Sequence, residues 1–464
     1  MSNWCLYHHF YLPIGTIYAT IFIIMCIRKN KGEMKKKYRF VIKVLLCLGL
    51  SIALGFFLLI FVYLLPTERM KKNVEESSEQ IISEGGYYQW AKGYKNAQTD
   101  TYTDASLILN AMYHDSENVL ADAMNVPRVL YGDDNNEESV VLYARGEQGD
   151  THIVQYGRYW HGSLVLLKPM LLVFNLADIR VISMIVQMAL LFCVVAGFVK
   201  RNLMKELLGF FITIILLNPI TMVMGFCFSL EYILMLIATA VVLFWHESLE
   251  TGYRYYYFFL INGIVFVYFN ELSFPMIGLG IPLIVFLLLS KEKICEKVKK
   301  EILYTFMWGI GYSVMWIGKW ILAWLFTGFN YFKEAIEQAA RYTSDHATWE
   351  TENPSVADRI VKNIDMYLKW PYALLGIAVI VVVAIFILRN RKNMSRENIL
   401  NMISYFFPVL LPFALFIALG NGYSYVHYWF THRLLSISAF AGVCMVLQLV
   451  KEKDNRNEAD RLAW

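Results

Sequence analysis

Met34-Lys-Lys-Lys-Tyr-Arg-Phe-Val-Ile-Lys-Val-Leu-Leu-Cys-Leu-Gly-Leu-Ser-Ile-Ala-Leu-Gly-Phe-Phe-Leu-Leu-Ile-Phe-Val-Tyr-Leu-Leu-Pro66-Thr-Glu-Arg69 decides the fold. Residues 39–65 are apolar for long enough to cross a hydrocarbon layer of roughly 30 Å, which takes about 20 residues. Lysines and arginine crowd the first flank, and a polar, acidic stretch follows the second. Cations mark the cytoplasmic side of a span, so this run reads as a first transmembrane helix delivering residue 66 to the outer face.

Outward from that stretch, nine more apolar runs of suitable length follow, near 181–199, 207–226, 229–246, 256–269, 276–290, 303–326, 372–388, 400–419 and 433–450. If they alternate across the bilayer, five basic clusters share one side: Arg28 to Arg39, Lys200 to Lys205, Lys291 to Lys300, Arg389 to Arg396 and Lys451 to Arg461. The expected fold is an all-α polytopic membrane protein of about ten transmembrane helices with a mixed α/β outer loop domain. The expected layout is a basic start at 1–38, a first span at 39–65 and an outer domain at 66–180. Spans 2–7 occupy 181–326, an outer loop 327–371, spans 8–10 residues 372–450, and a cytoplasmic tail 451–464. Residues 10–26 form an eleventh run. They are either a further span with the N-terminus outside, or part of a stretch 1–33 that comes from a start codon placed too early, and the Met34-Lys-Lys-Lys-Tyr-Arg cluster favours the second.

The composition agrees: 57% of the 464 residues are hydrophobic and 17% charged, with a mean hydropathy of +0.44. A soluble domain of this length carries more charge. The net charge of +4 is too small to argue for a nucleic-acid partner. None of the seven cysteines lies between Thr67 and Arg180, and no pair has metal-ligand spacing, so they read as small core residues. No Walker loop, dinucleotide fingerprint, nucleophile elbow or HExxH pair is present.

The segment 66–180 holds 17 acidic against 10 basic residues. Asp104 to Tyr113 reads as a short helix capped by Thr103 or Asp104. Ser139–Tyr143 and His152–Tyr156 read as strands, with Tyr131–Glu138 an acidic turn just before the first. Residues 164–176, interrupted by Lys168-Pro169, read as a helix lying along the membrane surface.

Four groups carry chemistry. Asp100 and Asp104 stand one helical turn apart, a spacing that suits a shared proton, a general base or a divalent-metal site, and equally a helix start. Arg158 and His161 flank Tyr-Trp near the membrane, as an aromatic belt does, or as a phosphate-binding group does. Lys319 lies inside an apolar run, where an ammonium needs a cavity or a partner such as Asn270-Glu271. His427, His432 and Arg433 sit among aromatics at the outer mouth of the last spans, fit for sugar stacking or a headgroup pocket.

A first span, a large acid-bearing outer loop and many later spans resemble the GT-C superfamily of membrane glycosyltransferases. The resemblance covers the layout of nearly the whole chain and the acids Asp100 and Asp104. It implies a sugar donor on a polyprenyl phosphate, inverting transfer on the outer face of a bacterial plasma membrane, and a cell-envelope glycan or lipid as acceptor. One of the two aspartates would deprotonate the acceptor, and Arg158, Lys319 or Arg433 would stabilise the leaving phosphate, with His161 and His427 in the binding set. No organic cofactor is implied. A polysaccharide polymerase or ligase, and a transporter or flippase, are the alternatives.

Overall fold

The computed structural model describes residues 31–114, 117–132, 135–344, 353–390 and 396–449. The 10–26 run and the 451–464 tail lie outside the described residues, as does part of the acidic turn. After α1 (Lys31–Tyr63) comes a polar domain of α2 (Lys71–Glu84), α3 (Thr101–Met112), α4 (Val119–Asn125), β1 (Pro127–Tyr131), α5 (Asn136–Arg145), β2 (Thr151–Gln155) and α6 (Leu164–Leu171). The bundle resumes with α7 (Leu176–Lys200), α8 (Met204–Leu217), α9 (Pro219–Met224), α10 (Phe226–Glu250), α11 (Arg254–Phe269), α12 (Ile277–Leu289) and α13 (Ile294–Thr327). Then come α14 (Tyr331–Thr343), α15 (Val356–Leu368), α16 (Tyr372–Asn390), α17 (Arg396–Ile403), α18 (Phe406–Ala418) and α19 (Leu435–Leu449).

Among the described residues seven helices are long and apolar enough to cross a membrane: Lys35–Tyr63, Leu176–Lys200, Phe226–Glu250, Ile294–Thr327, Tyr372–Arg389, Asn398–Ala418 and Tyr428–Leu449. Leu50, Leu54, Phe57 and Phe61 on α1 and Ile377, Ile380 and Leu388 on α16 point away from the protein. Apolar surface of that extent is stable against lipid rather than water, so the chain is a membrane-embedded helical protein. At the centre, α12 is buried on every side although its 13 residues reach only about 20 Å. Two glycines let α11 and α13 touch backbone to backbone: a Cβ on Gly263 would stand 2.1 Å from Trp308 O, and one on Gly311 the same distance from Leu260 O.

The expected run at 207–226 is two helices. Asn218 takes a left-handed φ of +61°, Pro219 opens the next helix, and the Asn218 side chain accepts the Thr221 N–H. Asparagine tolerates this conformation, and proline belongs in a first turn.

The polar domain corrects three expectations. Ser139–Tyr143 is not a strand but part of α5, which Asn135 caps at Glu138 N and which Gly146 ends in a left-handed turn. β2 lies where a strand was expected, but its antiparallel partner is β1, with Arg128 opposite Val154. The stretch 164–176 is helical only to Leu171, and Asn175 then starts α7 with a capping box. Leu164, Leu167 and Leu171 are buried, and Lys168 gives its ammonium to Ala111 O at 2.5 Å over the Tyr63 ring. That helix packs its buried face against α1 and α3 and leaves Leu166 exposed on the other.

The segments expected outside meet at one end of the bundle. Arg158 bonds Glu334, Tyr331 bonds Asn125, and Arg433 bonds Asn96. At the other end Arg201 binds Glu247, Lys300 binds Glu292, and Asn398 bonds Leu449 O.

Candidate functional site

The site lies where the start of α3 enters the polar end of the bundle. Asp100, not Thr103 or Asp104, is the N-cap of α3: Oδ1 accepts Thr103 N at 3.1 Å. The chain before it is pinned, with Thr99 N on Tyr88 O and Tyr102 N on Gly86 O. Below, Thr101 donates its hydroxyl to Glu84, and Glu84 receives both forks of Arg180 at 2.5 and 2.9 Å. Burial alone would raise the Glu84 carboxyl, but Arg180 holds it below its ordinary range. This bidentate pair joins the end of α2 to the start of α7.

Asp104 faces the other way. Its Oδ1 and Oδ2 both accept Phe226 N at 3.0 Å, and Oδ1 accepts Cys227 N at 3.3 Å. It thus satisfies the free N–H groups at the start of α10, where a negative charge is also favoured by the helix dipole. The two aspartates share a helical turn but not a task. Burial pushes Asp104 up to about 6 despite Arg180 and those N–H groups. Burial pushes Asp100 up to about 7, with the Thr103 bonds opposing and the carboxylates of Asp104 and Glu271 adding to the rise.

Around Asp100, Tyr87 stacks on Tyr102 and meets Trp429 edge-on at 5.3 Å. Glu271, on the loop from α11 to α12, accepts from His161 Nδ1 at 2.9 Å, while His161 Nε2 lies 2.9 Å from Tyr156 O. His161 itself sits at φ +53°, and Gly162 follows because any Cβ there would stand 2.3 Å from the Tyr268 ring. Glu271 was expected near Lys319; it serves His161 instead. Lys319 gives its ammonium to Ala123 O at 3.0 Å over the Trp160 ring, fixing α4 to α13.

Arg158 donates to Glu334 at 2.7 Å, and its carbonyl takes the indole N–H of Trp316 and Trp320. Arg433 is fully buried, stacked 5.0 Å from the Phe228 ring centre, and bonds Trp429 O and Asn96 O at 3.0 Å. His427 lies against Tyr342 and Tyr423, and burial lowers its basicity. His432 Nδ1 donates to Tyr428 O, and the ring packs on Tyr367. Glu271 and His161 are hydrogen-bonded, and Arg158 meets them at the Tyr156 ring. Asp100 feels the Glu271 charge without a bond to it, Arg433 holds the 96–98 loop, and Lys319 is set apart at Trp160. Among the described residues no three His, Cys, Asp or Glu side chains gather at metal-binding distance.

Sequence reasoning missed the Glu84–Arg180 clamp, Tyr87 and Arg128. Glu271 alone left a trace, as a carboxylate in apolar surroundings. Beside the site, Trp90, Tyr94, Asn96, Asn218, Trp370 and Leu375 line a mostly apolar groove of about 580 Å³ at the ends of α8 and α16. No family model, curated protein or solved structure matches the chain.

Proposed function

We propose that this protein is a membrane glycosyltransferase that moves a sugar from a polyprenyl phosphate to a cell-envelope glycan or lipid at the outer face of a bacterial plasma membrane. In this reading the chain has about ten spans, the polar domain and the 420–432 segment are outside, and the C-terminus is inside, as the basic clusters require. The observation that carries it is Asp100: a buried carboxyl at about 7, one oxygen engaged by a backbone N–H, beside aromatic rings at the polar end of the bundle. A base whose pKa lies near working pH both exists in its active form and pulls a proton well. Asp104 positions α10 and is not the base, since both its oxygens are engaged. Tyr87 and Trp429 offer faces for a sugar ring, and the groove past Trp90 suits an isoprenoid chain. Arg433 lies behind Asn96 on that side, and Arg158 and His161 lie on the acceptor side.

Asp100→Asn tests this, because asparagine caps a helix as well as aspartate does. Transfer should fall about 10²–10⁴-fold, the contribution of a general base. The readout is loss of one envelope glycan substituent at unchanged protein level. In the wild type the rate should climb with pH through about 7, as Asp100 loses its proton. An intact glycan profile in a normally accumulating Asp100→Asn strain sinks the reading.

Transport is the second reading, and one observation favours it. Glu301, within α13, is fully buried with neither carboxylate oxygen hydrogen-bonded, the kind of residue that marks ion pathways in membranes. Uptake or export lost in Glu301→Gln, with glycans intact in Asp100→Asn, would select it.

A further inference from the structure

Two cations crowd one ring on the far side of the site from the apolar groove. The Arg128 guanidinium lies 5.2 Å from the centre of the Tyr156 ring, and that of Arg158 lies 4.6 Å from it. Arg128 comes off β1 and is 8% exposed, yet its Nε and Nη1 meet no acceptor. Arg158 gives Nη1 to Glu334, and its Nε is also unmet. Arg128 Nε and Nη1 and Arg158 Nε, on two cations that lie against the same ring, are thus buried without an acceptor. Glu271 is engaged by His161, and the Tyr159 hydroxyl takes one bond from Arg158, which leaves the two Arg128 donors and Arg158 Nε unmet. Glu334 balances one positive charge, and among the described residues no salt bridge balances that of Arg128.

Buried cations are stable when an anion and full hydrogen bonding compensate their lost hydration. Guanidinium forks suit the several oxygens of a tetrahedral oxyanion better than an ammonium does. We propose that Arg128 and Arg158 together bind a phosphate group. Its source is either the headgroup of a lipid-linked phosphate or a phosphate carried by a water-soluble envelope polymer. The site stands without the transferase reading, because its occupancy is measured with no turnover.

The test uses the full chain purified in detergent, with thermal unfolding followed at constant ionic strength. Inorganic phosphate, glycerol phosphate and a short-chain isoprenyl phosphate are titrated against chloride. Each bound ligand raises the midpoint by mass action. The apparent affinity should weaken at least tenfold in Arg128→Gln and in Arg158→Gln, and stay unchanged in Lys92→Gln on the exposed surface. Response to all three ligands supports a site open to soluble phosphates, and response to the isoprenyl phosphate alone supports a headgroup site. No response to any of them, or an undiminished response in both arginine variants, overturns the proposal. If Arg128→Gln fails to accumulate, Arg158→Gln and the wild-type titration still decide it.

Discussion

The two ends of the bundle treat buried charge differently. At the polar end, Glu84 has Arg180, Asp104 has the first amides of α10, Lys319 has Ala123 O, and Glu271 has His161. At the basic end, Glu301 is as deeply buried, but neither of its oxygens has a hydrogen bond. The Trp308 indole and the Tyr405 hydroxyl, other buried polar groups on that half, are also unmet. At those polar-end groups hydrogen bonds offset the lost hydration and tie the polar domain to the spans, whereas Arg128 at the same end keeps unmet donors. At the basic end the Arg201–Glu247 and Lys300–Glu292 pairs fasten as well, and Glu301 stands apart from them as a buried carboxyl without a hydrogen bond.

The harshest way to break this comparison is Arg180→Ala, which leaves Glu84 buried without its cation. Breaking a buried pair in this way costs about 3–5 kcal/mol, read as a large fall in the unfolding midpoint. The same pair sets an acid dependence. Because the folded Glu84 carboxyl is held low, its stabilisation is complete above its ordinary range and is lost as pH falls through the depressed value. Arg180→Ala should therefore flatten the acid limb of the midpoint-versus-pH curve, and an unaltered limb would show that the pair does not fasten the domain.

Next in size is Asp104→Ala, which strips the acceptors from Phe226 and Cys227 and should lower stability by about 1–3 kcal/mol. Asp104→Asn keeps one acceptor and should cost less. The smallest effect belongs to the other end. Glu301→Gln removes a charge that no hydrogen bond compensates and should leave the midpoint unchanged or raise it by about 1 kcal/mol. A loss matching that of Arg180→Ala would mean that both ends use charge alike.

The seven span-length helices were legible because each is written in consecutive residues, whereas the runs at 207–226, 256–269 and 276–290 gave shorter helices. The run at 39–65 became α1, and the run at 229–246 lies inside α10. The division between Asp100 and Asp104 was not legible. Both look alike in Thr99-Asp-Thr-Tyr-Thr-Asp, and what separates them is Phe226, 122 positions later. Arg180 likewise finds Glu84 across 96 positions, which no local periodicity records. Ser139–Tyr143 misled because its apolar, β-branched residues outweighed the cap at Asn135 and the glycine at 146, both of which were readable. Arg128 left no signal, since a lone arginine beside a proline is ordinary surface sequence until the hairpin buries it.

The bond from Arg433 to Asn96 O spans 337 positions. At about 5–20 residues per second, the ribosome delivers Arg433 on the order of tens of seconds after Asn96 has emerged. Through that interval the segment leading into Asp100 lacks its Arg433 contact and has those that Asn218 and Thr221 make with Asn96 O. A chain cut short before Arg433 would carry every acid of the polar domain and still lack this contact. The contact makes synthesis through Arg433 a condition for the complete set of bonds on the 96–98 loop.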